Sequence, residues 1–199
     1  MRLLIDPPLY RLGRDLARRG VGADAVTLMG LALGLGAAAL IAAGASLVLA
    51  LLPLLASRLA DGLDGAVARA RGKTDFGGYL DITCDFAFYG AIPLAFGIRD
   101  PGLALPAAFL LFAFYVNGAS FLGFAILAAR NGMETTARGD KSLYFTAGLL
   151  EGTETILFFV ALCLAPAFFA PLAWGFGALC LVTAGARIVL ACQTFARKP

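Results

Sequence analysis

From Ala25 to Ser57 the chain carries no charged residue, and that run removes most of the folds open to a protein of 199 residues. A helix crossing the hydrocarbon of a bilayer needs about 20 mostly apolar residues. The run is too long for one span, and Gly44-Ala45-Ser46 offers a turn inside it. It therefore reads as two helices, roughly 25–44 and 46–70, the second running on into a charged end. Further apolar stretches predict helices over roughly 75–98, 101–129 and 142–165, and a last one, after Pro166 and Pro171, to about 195. The expected architecture is an all-α membrane protein. It has six transmembrane helices, an N-terminal amphipathic interfacial helix and one membrane domain over residues 1–199. Composition agrees, with 60% hydrophobic residues and only 15% charged, against about a quarter charged in ordinary soluble domains.

Basic residues orient such a bundle. With six spans, four groups fall on one side: Arg2, Arg11, Arg14, Arg18 and Arg19; Arg69, Arg71 and Lys73; Arg130, Arg138 and Lys141; Arg197 and Lys198. The other side holds only Arg99. Both termini are expected in the cytoplasm, in a multi-pass protein of the bacterial inner membrane. Leu9, Leu12 and Leu16 recur at helical spacing among Arg11, Arg14, Asp15 and Arg18, the pattern of a basic helix lying at the headgroups. The order of basic and apolar stretches there is not that of a signal peptide.

Histidine is absent, which excludes a His base, a Ser-His triad and an imidazole-ligated metal. Cys84, Cys163, Cys180 and Cys192 stand singly in apolar runs, as buried small hydrophobes do, rather than as zinc ligands or a disulfide framework. Chemistry concentrates instead in four aspartates on adjacent membrane helices. Asp61, Asp64, Gly65 and Ala68 share one helix face by their i, i+3, i+4, i+7 spacing, and Gly77, Asp81 and Asp85 share another. The short connection Arg71–Phe76 makes the two helices expected antiparallel neighbours with facing acids. Carboxylates are costly inside a membrane and mark function there. Oxygen-only ligands select a hard divalent cation such as Mg²⁺ or Mn²⁺. Gly65, Gly77 and Ala68 leave a groove, and Arg69 and Arg71 at its mouth can pair with phosphate. A diphosphate-bearing substrate fits that combination. A plainer reading pairs the acids with Arg58, Arg69 and Arg187 in a structural hairpin.

Asp61-Gly-Leu-Asp-Gly-Ala-Val-Ala-Arg69, followed by Gly77-Gly-Tyr-Leu-Asp-Ile-Thr-Cys-Asp85, resembles the signature of the CDP-alcohol phosphatidyltransferase family, D-x-x-D-G-x-x-A-R, a spacer, then G-x-x-x-D-x-x-x-D. All the fixed positions are present. The resemblance implies transfer of a phosphatidyl group from CDP-diacylglycerol to an alcohol, with release of CMP, in phospholipid synthesis. It implies two divalent ions, the first on Asp61, Asp64 and Asp81, the second shared by Asp61, Asp64 and Asp85. Asp85 would be the general base for the acceptor hydroxyl. Gly65 and Ala68 would line the cytidine site, Gly77 the groove, and Arg69 the phosphates. A homodimer, with membrane lipids as partners and no nucleic acid, follows from the same resemblance. Where the family often has Pro-Asn before its first span, this chain reads Ala23-Asp24.

The acceptor is less defined. Members that use phosphorylated polyols carry basic residues near the fourth and fifth spans, and Arg130, Arg138 and Lys141 stand there. Glu151 and Glu154 share a face of the fifth span, either lining an acceptor pocket or pairing with Arg187, and Gly152 takes the place of an arginine found in some sugar-phosphate members. Two rivals remain at this level. One is a divalent-cation or proton transporter using the carboxylates; the other is an inactive lipid-binding protein. A transporter does not need Arg69 beside a nucleotide-sized groove, and an inactive protein would be free to lose an aspartate, yet none is missing.

Overall fold

A computed structural model describes residues 2–133 and 152–196, with side chains from Leu9 onward. Helices dominate it, as apolar sequence in a bilayer requires, because a helix satisfies every backbone polar group within its own segment. Seven α-helices are described: α1 Arg2–Arg18, α2 Ala23–Ala42, α3 Leu47–Arg71, α4 Asp75–Arg99, α5 Ala104–Arg130, α6 Gly152–Leu164 and α7 Phe169–Phe195. Short 3₁₀ turns at Pro101–Leu103 and Pro166–Phe168 lead into α5 and α7. Four segments are long and apolar enough to cross a membrane, those of α2, α4, α5 and α7. The helix α3 is long enough, but Arg58, Asp61 and Asp64 interrupt its apolar surface. The helix α6 is apolar and short as described.

The chain forms two compact units, Met1–Asp100 and Pro101–Pro199. In the first, the expected turn is present: Gly44 takes φ 79°, a left-handed conformation that glycine adopts without strain. Gly72 does the same between α3 and α4, at φ 105°. Arg99 at the end of α4 donates to the Ala45 and Ile41 carbonyls at 2.7 and 3.3 Å. It thereby ties the end of α4 to the turn that follows α2.

The small residues of α2 set the packing. A side chain at Gly30 would meet Ala60 and the Ser57 carbonyl, and one at Gly34 would come within 2.5 Å of Phe88 and 2.9 Å of the Ser57 hydroxyl. The helix α2 therefore lies close against both α3 and α4. The expected neighbours α3 and α4 bring their acids together, but their backbones hardly approach one another, and α2 bridges them. Around Val26, Ala60 and Val67 pack Leu16, Ala17, Val21, Ala23 and Leu63. The helix α1 joins α3 through Gly13, where a Cβ would sit 2.6 Å from that of Ala66. Leu12 of α1 is exposed.

In the second unit α5 packs along α7. Phe109 lies on Trp174 with ring centroids 4.4 Å apart, and Phe158 stacks on Phe176 at 4.0 Å. Arg187, buried in α7, directs Nη1 to the Asn117 carbonyl, the Asn117 Oδ1 and the Ser120 Oγ at 3.1, 3.0 and 2.6 Å. Cys84, Cys163 and Cys180 are buried as expected, whereas Cys192 is exposed.

Candidate active site

All four aspartates of the sequence pattern lie in the first unit, and its packing separates them into two groups. Asp61 on α3 and Asp81 and Asp85 on α4 offer carboxylate oxygens that all lie within 4.8 Å of one another. Because α3 and α4 stand apart at the backbone, these side chains meet in the gap between them rather than at a packed seam. Asp64 stands outside this trio. It is 6% exposed, and its Oδ2 accepts a hydrogen bond from the Thr27 hydroxyl of α2 at 2.6 Å. That bond is short, as charge-assisted bonds are, and it fixes the Asp64 carboxylate from the third helix.

Beside the carboxylates opens a cavity of about 510 Å³. It is lined by Asp64, Gly65, Ala68 and Arg69 of α3, by Gly77, Gly78 and Asp81 of α4, and by Asp24 and Thr27 of α2. The α3–α4 connection adds Arg71, Gly72, Lys73 and Thr74. Asp81 belongs to both the cavity wall and the carboxylate trio. Gly77 is small for a reason: a Cβ there would stand 2.9 Å from Thr74 Oγ1 and 3.2 Å from Asp24 Oδ1. Thr74 caps α4, accepting from the Gly77 amide at 3.0 Å. The positive end of the α4 dipole thus borders the cavity, an arrangement that favours anions. At Gly65 a side chain would press on the Arg69 guanidinium, 3.2 Å away.

The two arginines at the mouth are held differently. Arg69 places its guanidinium 4.7 Å above the Tyr10 ring of α1, which orients the cation without using its hydrogen-bond donors. Arg71 donates to the Gly20 carbonyl at 2.7 Å, tying the start of α2 to the end of α3. Among the described residues the plain structural-hairpin reading is realised at Arg58: its Nη1 lies 2.8 Å from Asp85 Oδ1 and 3.5 Å from Asp61 Oδ1. Its spacing fits, since Arg58 precedes Asp61 by three residues on the same face. Asp24, noted where the family often has Pro-Asn, and Thr27 are brought to the cavity by α2. Of the residues expected at the acceptor, Arg130 is exposed at the end of α5. Arg138, Lys141 and Glu151 lie outside the described residues. Glu154 is exposed in the first turn of α6.

The donor set suits a hard divalent ion: three carboxylates converge and no nitrogen or sulfur ligand enters. The cavity supplies what an anionic, nucleotide-sized ligand would need, namely cations, a helix N-terminus and walls of glycine and alanine.

A family model for CDP-alcohol phosphatidyltransferases matches residues 21–191. The chain is 48% identical to the inner membrane protein YnjF of Escherichia coli over 185 residues, covering 92% of this chain and 89% of that one. It is 36% identical over 104 residues to archaetidylinositol phosphate synthase of Pyrococcus horikoshii, covering 52% and 54%. Among solved structures, phosphatidylinositol phosphate synthase of Mycobacterium tuberculosis with CDP-DAG bound matches at a TM-score of 0.69 and 24% identity, over 96% of this chain and 97% of that one. The same protein in complex with manganese and citrate matches at 0.68 and 24% identity, over 96% and 92%.

Proposed function

This chain belongs to the CDP-alcohol phosphatidyltransferase family of phospholipid-synthesis enzymes, and from that premise we propose that it transfers a phosphatidyl group from CDP-diacylglycerol to an alcohol and releases CMP. The observation that carries this reading is the carboxylate trio opening, through Asp81, into a cavity edged by Arg69 and by the N-terminus of α4. Family membership speaks against the rival reading of the acids as the path of a cation or proton transporter.

In the reaction, the bond between the phosphatidyl phosphorus and the bridging oxygen of the diphosphate breaks, and the acceptor oxygen bonds to that phosphorus. Such a transfer asks mainly for positioning and charge neutralisation. Arg69 pairs with the diphosphate, and Gly65, Ala68 and Gly77 leave room for the nucleotide. Asp85 takes the proton of the acceptor hydroxyl. Asp61, Asp64, Asp81 and Asp85 would hold one or two divalent ions, Mg²⁺ or Mn²⁺. When bound, such ions neutralise the diphosphate and the departing CMP oxygen. Support for a metal comes from the oxygen-only donor set and from the relative crystallised with manganese.

We read α2 to α7 as six membrane spans of an inner-membrane protein with both ends in the cytoplasm, α1 lying at the headgroups and the protein a homodimer. A phosphorylated polyol is the acceptor favoured, since two relatives are named for inositol phosphate products. The test is a release assay on purified protein with CDP-diacylglycerol, Mg²⁺ or Mn²⁺ and a panel of alcohols. CMP should appear with a matching lipid product only when metal and one acceptor class are both present. CMP release that persists in excess chelator would sink the role of the carboxylates; no release with any acceptor would sink the transferase reading.

A further inference from the structure

Arg58 is the one cation inside the carboxylate group of the described residues. Its side chain is 9% exposed, and the surroundings form a cradle for it. Nη2 donates to Ser57 Oγ at 3.1 Å. The guanidinium carbon lies 4.0 Å from the Phe88 ring centroid and 6.0 Å from that of Tyr89. Phe88 is itself fully buried, and it and the Ser57 hydroxyl fit there because Gly34 of α2 has no side chain. From this cradle Nη1 reaches the Oδ1 atoms of Asp85 and Asp61 at once. Nε is buried and has no hydrogen-bond partner among the described residues.

We propose that Arg58 is the resident counter-cation of the carboxylate trio: it holds Asp85 and Asp61 while no metal is bound, and must release them to a divalent ion. This rests on reading Asp61, Asp81 and Asp85 as metal ligands, and it adds what decides how tightly they take metal. The argument is one of shared carboxylates. The two carboxylates that Nη1 engages belong to the set whose oxygens lie within 4.8 Å of one another. An ion among those oxygens would face the guanidinium at a few ångströms in surroundings that screen poorly, where like charges repel strongly. Until Nη1 moves away, the Oδ1 of Asp85 also stays engaged as an acceptor.

The test is direct Mn²⁺ binding to the purified full-length protein in detergent, with free Mn²⁺ followed by electron paramagnetic resonance. Arg58→Gln removes the competing charge and should tighten Mn²⁺ binding by about tenfold or more. Arg58→Lys keeps the charge and should stay near the parent. Ser57→Ala removes only the hydroxyl that steadies Nη2, and should tighten binding by about two- to fivefold; it carries the test if Arg58→Gln is not recovered folded. Unchanged or weaker Mn²⁺ binding in Arg58→Gln, or in Ser57→Ala where that variant stands in, overturns the proposal. If the parent binds no Mn²⁺, the metal reading and this inference fall together. If it binds Mn²⁺ with an affinity blind to Arg58, the inference alone fails.

Discussion

Arg58 and Arg187 both carry a buried side chain well inside a helix, and their partners differ in kind. Arg187 in the second unit turns Nη1 to neutral oxygens, the carbonyl and side-chain amide of Asn117 and the hydroxyl of Ser120. Arg58 in the first unit faces two carboxylates, with an aromatic ring beneath it. Neutral partners solvate a cation permanently and tie α5 to α7. Carboxylates form a site that a stronger cation can contest. Burial of a charge is thus not a sign of function by itself; what its partners could bind instead is the better guide.

Removing the acids should give the largest effects and would break this contrast if it did not. Asp85→Asn should lower CMP release by about 10²–10⁴-fold, the usual worth of a general base, while CDP-lipid binding survives on the remaining acids. Asp61→Asn should damage turnover and lipid binding together. Near-normal turnover in Asp85→Asn would take the base role away from it. Arg69→Ala comes next: loss of one charge-assisted contact to phosphate should raise the KM for CDP-diacylglycerol about tenfold or more, with acceptor KM little changed.

The second unit supplies the opposite prediction. Arg187→Met should cost about 1–2 kcal/mol of stability, the scale of an interhelical polar contact in a membrane. It should leave kcat per folded molecule intact. The check is the thermal midpoint in detergent beside an activity normalised to folded protein. A large fall in kcat with an unchanged midpoint would move Arg187 into the functional class and erase the distinction.

Much of this was legible beforehand because both helix spacing and turn chemistry are local. The turn at Gly44 and the ends of α2, α3 and α4 fall near their expected places. So does the assignment of Asp61, Asp81 and Asp85 to converging faces. Spacing says which way a side chain points along its own helix, but not which helix covers it. That is why the bridging position of α2 was missed, and with it the Thr27 bond to Asp64. It is also why the close contact of Gly13 with α3 was missed. Gly13, Gly30 and Gly34 held the missing information, since glycine inside a helix is destabilising unless another backbone or ring comes close. Arg58 was visible on the acidic face, yet its cradle depends on Phe88 of α4 and Gly34 of α2, residues far from it in the chain.

The smallest expected effect tests whether the cations of the first unit are tuned as well as placed. Tyr10 of α1 is partly exposed, and the Arg69 guanidinium lies 4.7 Å from its ring centroid. A cation–π contact at such a site is worth roughly 0.5–1 kcal/mol, which corresponds to about two- to fivefold in an equilibrium constant. If the ring holds Arg69 toward the cavity, Tyr10→Leu should raise the KM for CDP-diacylglycerol by that factor. Tyr10→Phe keeps the ring and should match the parent. In an Arg69→Ala background the Tyr10→Leu effect should vanish, because the tyrosine acts only through the arginine. A general loosening of α1 would behave differently: it would lower stability, and its cost would persist without Arg69. An effect of Tyr10→Leu that adds in full to that of Arg69→Ala would therefore reduce the contact to packing between α1 and α3, and leave Arg69 placed by α3 alone.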